Sequence, residues 1–198
     1  LMEEEAFRAF ITSKNPDDFE ASEGWYRWSY QAGQPDRERM LGILQKRYKA
    51  NKNLVLTWKD NAYVSEEIVS LDDITDIYVE KRGMGGVADE LVIETASQKI
   101  KVISEYNIRS LLCDGATKVA RQDGSRIDSP NLLPSAFFII DTVKEDGKVT
   151  GYTLTGGGFG HGAGMSQNAA RHMAEEGYTA REILLYFYER CSIINLYS

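Results

Sequence analysis

The sequence predicts an α+β fold, with an antiparallel sheet built from hairpins and two C-terminal helices packed alongside. Apolar and polar residues alternate in short stretches between Ile74 and Ser104, as in an antiparallel meander. Two more such stretches, 135–143 and 149–155, flank an Asp-Gly turn, which is typical of a β-hairpin. In the last third, apolar residues recur at helical spacing. Helices interleaved with adjacent hairpins favour α+β over a parallel α/β sheet.

Length and charge limit the organisation and the partners. A chain of 198 residues suits one domain, predicted to span 1–198. The net charge of −7, without a basic cluster, disfavours a nucleic acid or an anionic membrane surface as partner. No apolar run approaches the roughly 18 residues that cross a bilayer. The first residues also lack the features of a signal peptide. We therefore expect any export signal or anchor to lie outside this chain.

The first half of the chain is predicted to contain two helices and four strands. Both helices have apolar residues three or four positions apart, the first ending at Asn15-Pro16 and the second starting at Pro35-Asp36. The strands are rich in aromatic residues or alternate in polarity. The predicted elements are a helix at 4–13, a strand at 25–30, a helix at 36–48, and strands at 74–82, 91–95 and 99–103.

The second half is predicted to add a hairpin, three helices and a terminal strand. Ser104 is a candidate N-cap for a short helix, Gly177 suits the end of a helix, and Thr179 with Glu182 forms a capping-box pattern. The predicted elements are a helix at 105–113, the hairpin around Asp146-Gly147, helices at 163–176 and from 179 onward, and a strand at 192–197. The last helix is expected to pack through Ile183, Leu184, Phe187 and Tyr188.

Cysteine and histidine usage gives no sign of a metal or cofactor site. Cys113 and Cys191 are the only cysteines, and they are too far apart for a CxxC motif. Two buried free thiols are favoured over one disulfide, so the redox compartment cannot be read from them. Together with His161 and His172 they lack the spacing of zinc ligands. We expect no metal and no cofactor.

A glycine-rich segment is the main candidate for a binding site. Six glycines fall in the nine positions 156–164, and ordering so many glycines is costly unless the backbone turns tightly or approaches a ligand. A tight corner without a ligand is the alternative. His161, Ser166 and Gln167 would present polar groups beside a helix N-terminus, which suits a sugar hydroxyl or an N-acetyl oxygen. The predicted substrate-binding residues are Gly158, Gly160, His161, Gly162, Gly164, Met165, Ser166 and Gln167.

The role of His161 stays open between two possibilities. An imidazole can contact a ligand or act as an acid or base near neutral pH. It can equally serve as a hydrogen-bonded residue that pins the glycine segment. His172, beside Arg171, is expected to be an ordinary surface or packing residue.

Other chemistries of glycine-rich segments fit poorly. Gly158 to Ala163 matches the loose G-x-G-x-x-A dinucleotide pattern, but it follows an antiparallel hairpin close to the C-terminus. No Lys-Ser or Lys-Thr pair follows the glycines, which excludes a P-loop. Ser166 has a glycine two residues before it but none two residues after it, so the nucleophile elbow of serine hydrolases is absent.

The same segment resembles the C-terminal signature of the stage II sporulation protein D (SpoIID) family. That signature is approximately G-x-G-x-G-H-G-x-G-M-S-Q-x-G-A, then M-A, a Gly-Tyr pair and an Ile-Leu helix ending in aromatics. Asn168 and Ala169 depart slightly from it. The matching residues are 158–167, Ala169-Ala170, His172-Met173-Ala174, Gly177-Tyr178, Glu182-Ile183-Leu184 and Tyr186-Phe187-Tyr188.

The resemblance implies that the chain binds and cleaves peptidoglycan glycan strands as part of a lytic transglycosylase. In that chemistry a glutamic acid protonates the glycosidic oxygen, and the muramic 6-hydroxyl closes on the anomeric carbon. The family's catalytic glutamate lies in an upstream helix with a pattern like E-A-L-K-A-Q-A-x-A-A-R. Glu5-Ala6 echoes only its start, so we interpret Glu5 as an ordinary helix residue. The chain is expected to begin after that helix, and its catalytic residue is unknown.

The resemblance also implies partners and a location. The expected partners are peptidoglycan glycan strands and other wall hydrolases such as amidases, and the expected location is extracytoplasmic. Two alternatives to an enzyme fragment stay open, a non-catalytic wall-binding or amidase-modifying module and a purely structural scaffold.

Overall fold

Within residues 1–194, the strands form two five-stranded sheets, and every pairing between them is antiparallel. The structure is a computed structural model that describes residues 1–194. The helices are α1 (Glu4–Thr12), α2 (Arg37–Ala50), α3 (Glu105–Leu112), α4 (Gln167–Glu175) and α5 (Ala180–Phe187). The strands are β1 (Trp28–Ala32), β2 (Val55–Lys59), β3 (Ala62–Val64), β4 (Ile74–Arg82), β5 (Ala88–Thr95), β6 (Lys99–Ile103), β7 (Val119–Arg121), β8 (Arg126–Ile127), β9 (Phe138–Glu145) and β10 (Lys148–Gly156).

The two sheets share one core. The first has the order β8-β7-β1-β10-β9 and the second the order β3-β2-β6-β5-β4. Strand β4 contacts β9 and β10, which joins the sheets, and α3 packs on β5 and β6. Tyr30, Leu91, Ile93 and Leu154 are among the side chains buried between them. Helix α1 adds a smaller cluster, in which Phe7 and its neighbours pack against β9.

The predicted fold class is confirmed, and several local signals act as expected. The Asp36 side chain caps α2 by accepting a hydrogen bond from the Arg39 amide at 3.0 Å. Asp146 and Gly147 both have positive φ, 50° and 76°, as a type I′ hairpin turn requires. Gly177 (φ 94°) follows α4, and the capping box of Thr179 and Glu182 starts α5.

The sequence did not predict the edge of the second sheet. Strands β2 and β3 form a hairpin whose turn, Asp60-Asn61, has φ values of 51° and 63°. Aspartate and asparagine tolerate this left-handed region better than most residues, so the Asp-Asn pair could have predicted this turn from the sequence. The predicted strand at 25–30 begins only at Trp28 and continues to Ala32. The strands form two sheets, whereas the sequence predicted one meander and one hairpin.

Two helix ends differ from the prediction. Ser104 precedes α3, but its side chain makes no capping hydrogen bond. Helix α4 begins at Gln167, four residues after the predicted start at Ala163. The backbone at Gly164 has φ 84°, which a right-handed helix does not allow.

The C-terminal part of the structure also differs from the prediction. On the predicted packing face of α5, Ile183 is buried, whereas Leu184 and Tyr188 are exposed. Residues 192–194 form no strand, and the rest of the strand predicted at 192–197 lies outside the described residues. Cys113 is buried and Cys191 is exposed, so the prediction of two buried thiols is wrong for Cys191. Among residues 1–194, no helix has the length and apolarity needed to span a bilayer.

Candidate functional site

Residues 157–166, here called the glycine loop, connect β10 to α4. Gly158, Gly160, Gly162 and Gly164 have φ values of 72°, 133°, 77° and 84°. Residues with side chains rarely adopt these conformations. The loop therefore turns at every second residue, which confirms the predicted tight turns. It is exposed from Gly158 onward, apart from partial burial at Gly160 and Ser166.

The first half of the loop is anchored to the core. A Cβ on Gly157 would lie 2.7 Å from the Tyr26 carbonyl oxygen, so only glycine fits there without a shift. The anchoring hydrogen bonds run from Gly157 N to Phe137 O (2.9 Å), Gly158 N to Trp25 O (2.7 Å), Gly160 N to Pro134 O (2.9 Å) and Trp28 Nε1 to Gly158 O (3.1 Å). These bonds give the exposed part of the loop a defined position.

His161 is both pinned and exposed. Its Nδ1 accepts a hydrogen bond from the Ala163 amide at 3.0 Å, so the neutral ring carries its proton on Nε2. The side chain is exposed, which leaves that Nε2–H able to donate to a ligand. His161 lies in the loop, six residues before α4, and not at the helix N-terminus where the sequence placed it.

The last three predicted site residues have different surroundings. Met165 and Gln167 are exposed. Ser166 caps α4, since its Oγ accepts a hydrogen bond from the Ala169 amide at 3.3 Å. The same hydroxyl donates to the Glu20 carboxylate at 2.6 Å, and a hydroxyl has one proton to give. Ser166 thus binds the loop to the body, while His161 and Gln167 keep donors exposed.

Sequence reasoning missed an aromatic pair at the loop. The Phe159 side chain is 70% exposed, and its ring centroid lies 5.0 Å from that of Trp25. The Arg121 guanidinium lies 4.8 Å from the Trp25 ring. The position of Phe159 between two glycines could have indicated an exposed aromatic residue. Its partner lies 134 positions earlier in the chain, and no sequence pattern connects the two.

The irregular segment 15–25, between α1 and β1, places two carboxylates against α4. Glu20 accepts from Ser166, and Glu23 accepts from Arg171 and contacts His172 Nε2 at 2.9 Å. His172 is therefore a contact between α4 and the rest of the protein, consistent with the predicted packing role. No sequence pattern pointed to these two glutamates.

The candidate site is an exposed loop. Two depressions are lined by residues outside this loop. One of them is lined by Gln34, Pro35, Arg37, Asp73, Ile74, Lys148 and Val149. The second is lined by Arg37, Glu38, Leu41 and Leu71. Within residues 1–194, no group of three or more His, Cys, Asp or Glu side chains is arranged to hold a metal ion.

Comparison with known families places the chain. A family model described as a domain of unknown function, DUF8618, matches residues 1–164. The chain belongs to the DUF8618 family. The match includes both sheets and the glycine loop as far as Gly164, and α4 and α5 lie beyond it.

Two proteins of Bacillus subtilis (strain 168) are similar to this DUF8618 chain. It is 28% identical over 166 residues to a protein named amidase enhancer, a match that covers 81% of the chain and 20% of that protein. It is 51% identical over 41 residues to stage II sporulation protein D, covering 21% of the chain and 12% of that protein. The chain thus spans about a fifth of the first relative and an eighth of the second. A search of solved structures gives no significant match.

These similarities support a relationship between DUF8618 and SpoIID. The match to stage II sporulation protein D is short but high in identity, and the match to the amidase enhancer covers most of the chain. The resemblance inferred from the glycine-rich signature is thereby supported at the level of a related family.

Proposed function

We propose that this DUF8618 chain works in the bacterial cell wall, outside the cytoplasm, and binds peptidoglycan glycan strands at the glycine loop. The observation that carries the proposal is an exposed loop of defined conformation that presents two polar side chains, His161 and Gln167. The relationship to an amidase enhancer and to stage II sporulation protein D supports the cell-wall setting.

An open surface suits a polymer better than a small molecule. Small ligands are usually enclosed in concave sites, whereas a glycan strand is long and can pass over a protruding loop. Sugar hydroxyls and N-acetyl groups both donate and accept hydrogen bonds. The His161 Nε2–H and the Gln167 amide offer donors, and the Gln167 carbonyl offers an acceptor.

In this proposal the chain is a single domain that supplies the glycan-binding surface of a lytic transglycosylase. A glutamic acid would protonate the glycosidic oxygen as its bond to the anomeric carbon breaks. The muramic 6-hydroxyl would then bond to that carbon and give its proton to the glutamate, so no water is consumed. We assign that acid to no residue here. Glu4 is paired with Arg82, and Glu5 is exposed in the first turn of α1.

Co-sedimentation with purified peptidoglycan sacculi tests the binding. We expect the wild-type chain to sediment with the sacculi. His161→Ala/Gln167→Ala should bind about tenfold more weakly, since two hydrogen bonds of about 0.7 kcal/mol each contribute about 1.4 kcal/mol together. Lys46→Ala/Glu67→Ala, at exposed positions of α2 and of a loop, is the control with unchanged net charge. A wild-type chain that stays in the supernatant would refute the proposal.

Mass spectrometry of the sacculi after incubation tests the cleavage step separately. Release of 1,6-anhydromuramic products would show that the chain acts as a transglycosylase by itself. Binding without such products would restrict its role to the glycan-binding surface.

A second candidate function is a non-catalytic module that modifies a wall amidase. The similarity to the amidase enhancer over 81% of the chain favours it. The test is to add the chain to a purified wall amidase acting on sacculi and to measure the release of stem peptides. A faster release that needs His161 and Gln167 would indicate that the chain stimulates the amidase by way of the glycan. An unchanged rate would exclude this function.

A further inference from the structure

We infer that Phe159, supported by Trp25, is a stacking platform for one sugar ring of the bound glycan. The inference rests on the proposed function and deepens it, because it adds an apolar contact to the polar residues of the glycine loop. Neither aromatic residue belongs to the set predicted from the sequence.

Phe159 is exposed, and the backbone on either side of it is hydrogen-bonded to the rest of the protein. Its side chain is 70% exposed, although burying a phenylalanine contributes about 1.5–3 kcal/mol. The neighbouring glycines, Gly158 and Gly160, each donate a backbone hydrogen bond to the core, at 2.7 and 2.9 Å. The backbone on both sides of the ring is therefore held in place.

Trp25 supports the ring and is itself supported. The two ring centroids lie 5.0 Å apart at an interplanar angle of 40°, within the range of favourable aromatic pairs. Trp25 packs against the main core, and the Arg121 guanidinium lies 4.8 Å from its ring. A Cβ on Gly24 would lie 1.8 Å from Arg121 Nη2, so glycine is needed there for arginine to come this close.

The chemistry of the platform fits a pyranose ring. The face of an aromatic ring carries partial negative charge, which attracts the C–H groups on the less polar face of a sugar. The polar substituents then project from the edge of the sugar ring. His161, two residues from Phe159, has its Nε2–H available for such a substituent.

Nucleic-acid bases also stack on exposed aromatic side chains, usually beside a positively charged groove. The charge of this protein argues against them. The net charge is −7, and the nearby Arg121 is paired with Asp123 at 3.2 Å. An uncharged sugar ring, such as an N-acetylated hexosamine, is the ligand that this surface favours.

The test compares Phe159→Ala and Phe159→Trp with the wild-type chain in binding to sacculi and to soluble oligomers of N-acetylglucosamine. We expect Phe159→Ala to weaken binding to both by about fivefold to tenfold, the equivalent of one aromatic contact. Phe159→Trp should bind at least as well as wild type. Met84→Ala removes another exposed apolar side chain, 86% exposed, and should change nothing. Thermal unfolding of each variant checks that it is folded.

The outcomes separate the inference from the proposed function. If the wild type binds and Phe159→Ala binds equally well, the platform is refuted and the glycan-binding function stands. If the wild type binds neither sacculi nor oligomers, the function fails and the platform fails with it. Loss of binding in Phe159→Ala together with retention in Phe159→Trp supports the platform.

Discussion

At the scale of single residues, Arg82 shows how a buried charge joins several elements of the fold. Its side chain is 1% exposed and pairs with Glu4 at 2.7 Å. It also donates to the carbonyls of Gly86 and Phe138 and lies over the ring of Phe7. Burial lowers the pKa of the Arg82 guanidinium, while the Glu4 carboxylate opposes that shift. Arg82 thus joins α1, β4 and β9.

We expect Glu4→Gln to lower the free energy of unfolding by about 1–2 kcal/mol. A buried cation that loses its carboxylate is costly, but Glu4 is 46% exposed on its side chain, which moderates the loss. Urea denaturation measures the effect. Glu5→Gln, on the same turn but not bound to Arg82, is the control and should change stability by less than about 0.5 kcal/mol. Equal stabilities for the two variants would contradict this account of Arg82.

Gly157, the first residue of the glycine loop, leads to a second prediction at the scale of single residues. Gly157→Ala would place a Cβ 2.7 Å from the Tyr26 carbonyl oxygen, which cannot move without disturbing the backbone. Overpacking of this kind costs about 1–3 kcal/mol, measurable by thermal unfolding. At Gly33 a Cβ meets no atom within 4 Å, so Gly33→Ala should leave the unfolding temperature nearly unchanged. A Gly157→Ala variant as stable as wild type would show that the loop is not tightly anchored.

At the scale of elements, local signals predicted the helices well and the sheet edges poorly. The start of α2 at Asp36 and the capping box of α5 were both found, because a cap involves residues within four positions of one another. The predicted start of α4, at Ala163, was wrong because the positive φ of Gly164 is a property of the folded loop. Glycine permits that conformation but does not require it.

The capping box of α5 should make the helix sensitive to acid. Glu182 accepts hydrogen bonds from the Thr179 amide at 2.8 Å and from its hydroxyl at 2.7 Å, and these bonds lower the pKa of the Glu182 carboxyl. A depressed carboxyl pKa stabilises the fold at neutral pH, and the stabilisation is lost as the pH falls through the folded-state pKa.

Glu182→Gln should therefore be less stable than wild type at pH 7, and the difference should shrink as the pH falls below the ordinary glutamate pKa of about 4.3. Denaturation at a series of pH values measures it. Glu176→Gln, an exposed carboxylate at the end of α4, should show no comparable change with pH. A stability difference that stays constant from pH 7 to pH 3 would refute the role of Glu182.

At the scale of the whole molecule, the C-terminal helices are attached to the sheets by way of the irregular segment 15–25. Glu20 and Glu23 of this segment bind Ser166, Arg171 and His172. Phe19 adds edge-to-face contacts with Tyr178 and Tyr186, at 5.8 and 5.7 Å between ring centroids. The position of α4 relative to the glycine loop depends on these contacts.

We expect Glu23→Gln to loosen α4, because it removes a carboxylate outside the helix that binds both Arg171 and His172. Amide hydrogen exchange measured by mass spectrometry should become faster in α4 and α5 and stay unchanged in β5 and β6. Glu175→Gln is the matched control, because Glu175 also contacts Arg171 at 3.9 Å and His172 at 3.4 Å but lies within α4 itself. Uniform acceleration across the chain would indicate general destabilisation, and no acceleration in α4 would contradict the attachment.

The sequence by itself determined the α+β class, most helices, the hairpin around Asp146-Gly147, and the glycine-rich segment as the candidate site. These features depend on residues close together in the chain, where spacing and turn chemistry act directly. Only the tertiary structure decided that the strands form two sheets, that Trp25 lies under Phe159, and that Glu20 and Glu23 face α4. Those contacts join residues more than a hundred positions apart, and their pairing depends on how the whole core packs.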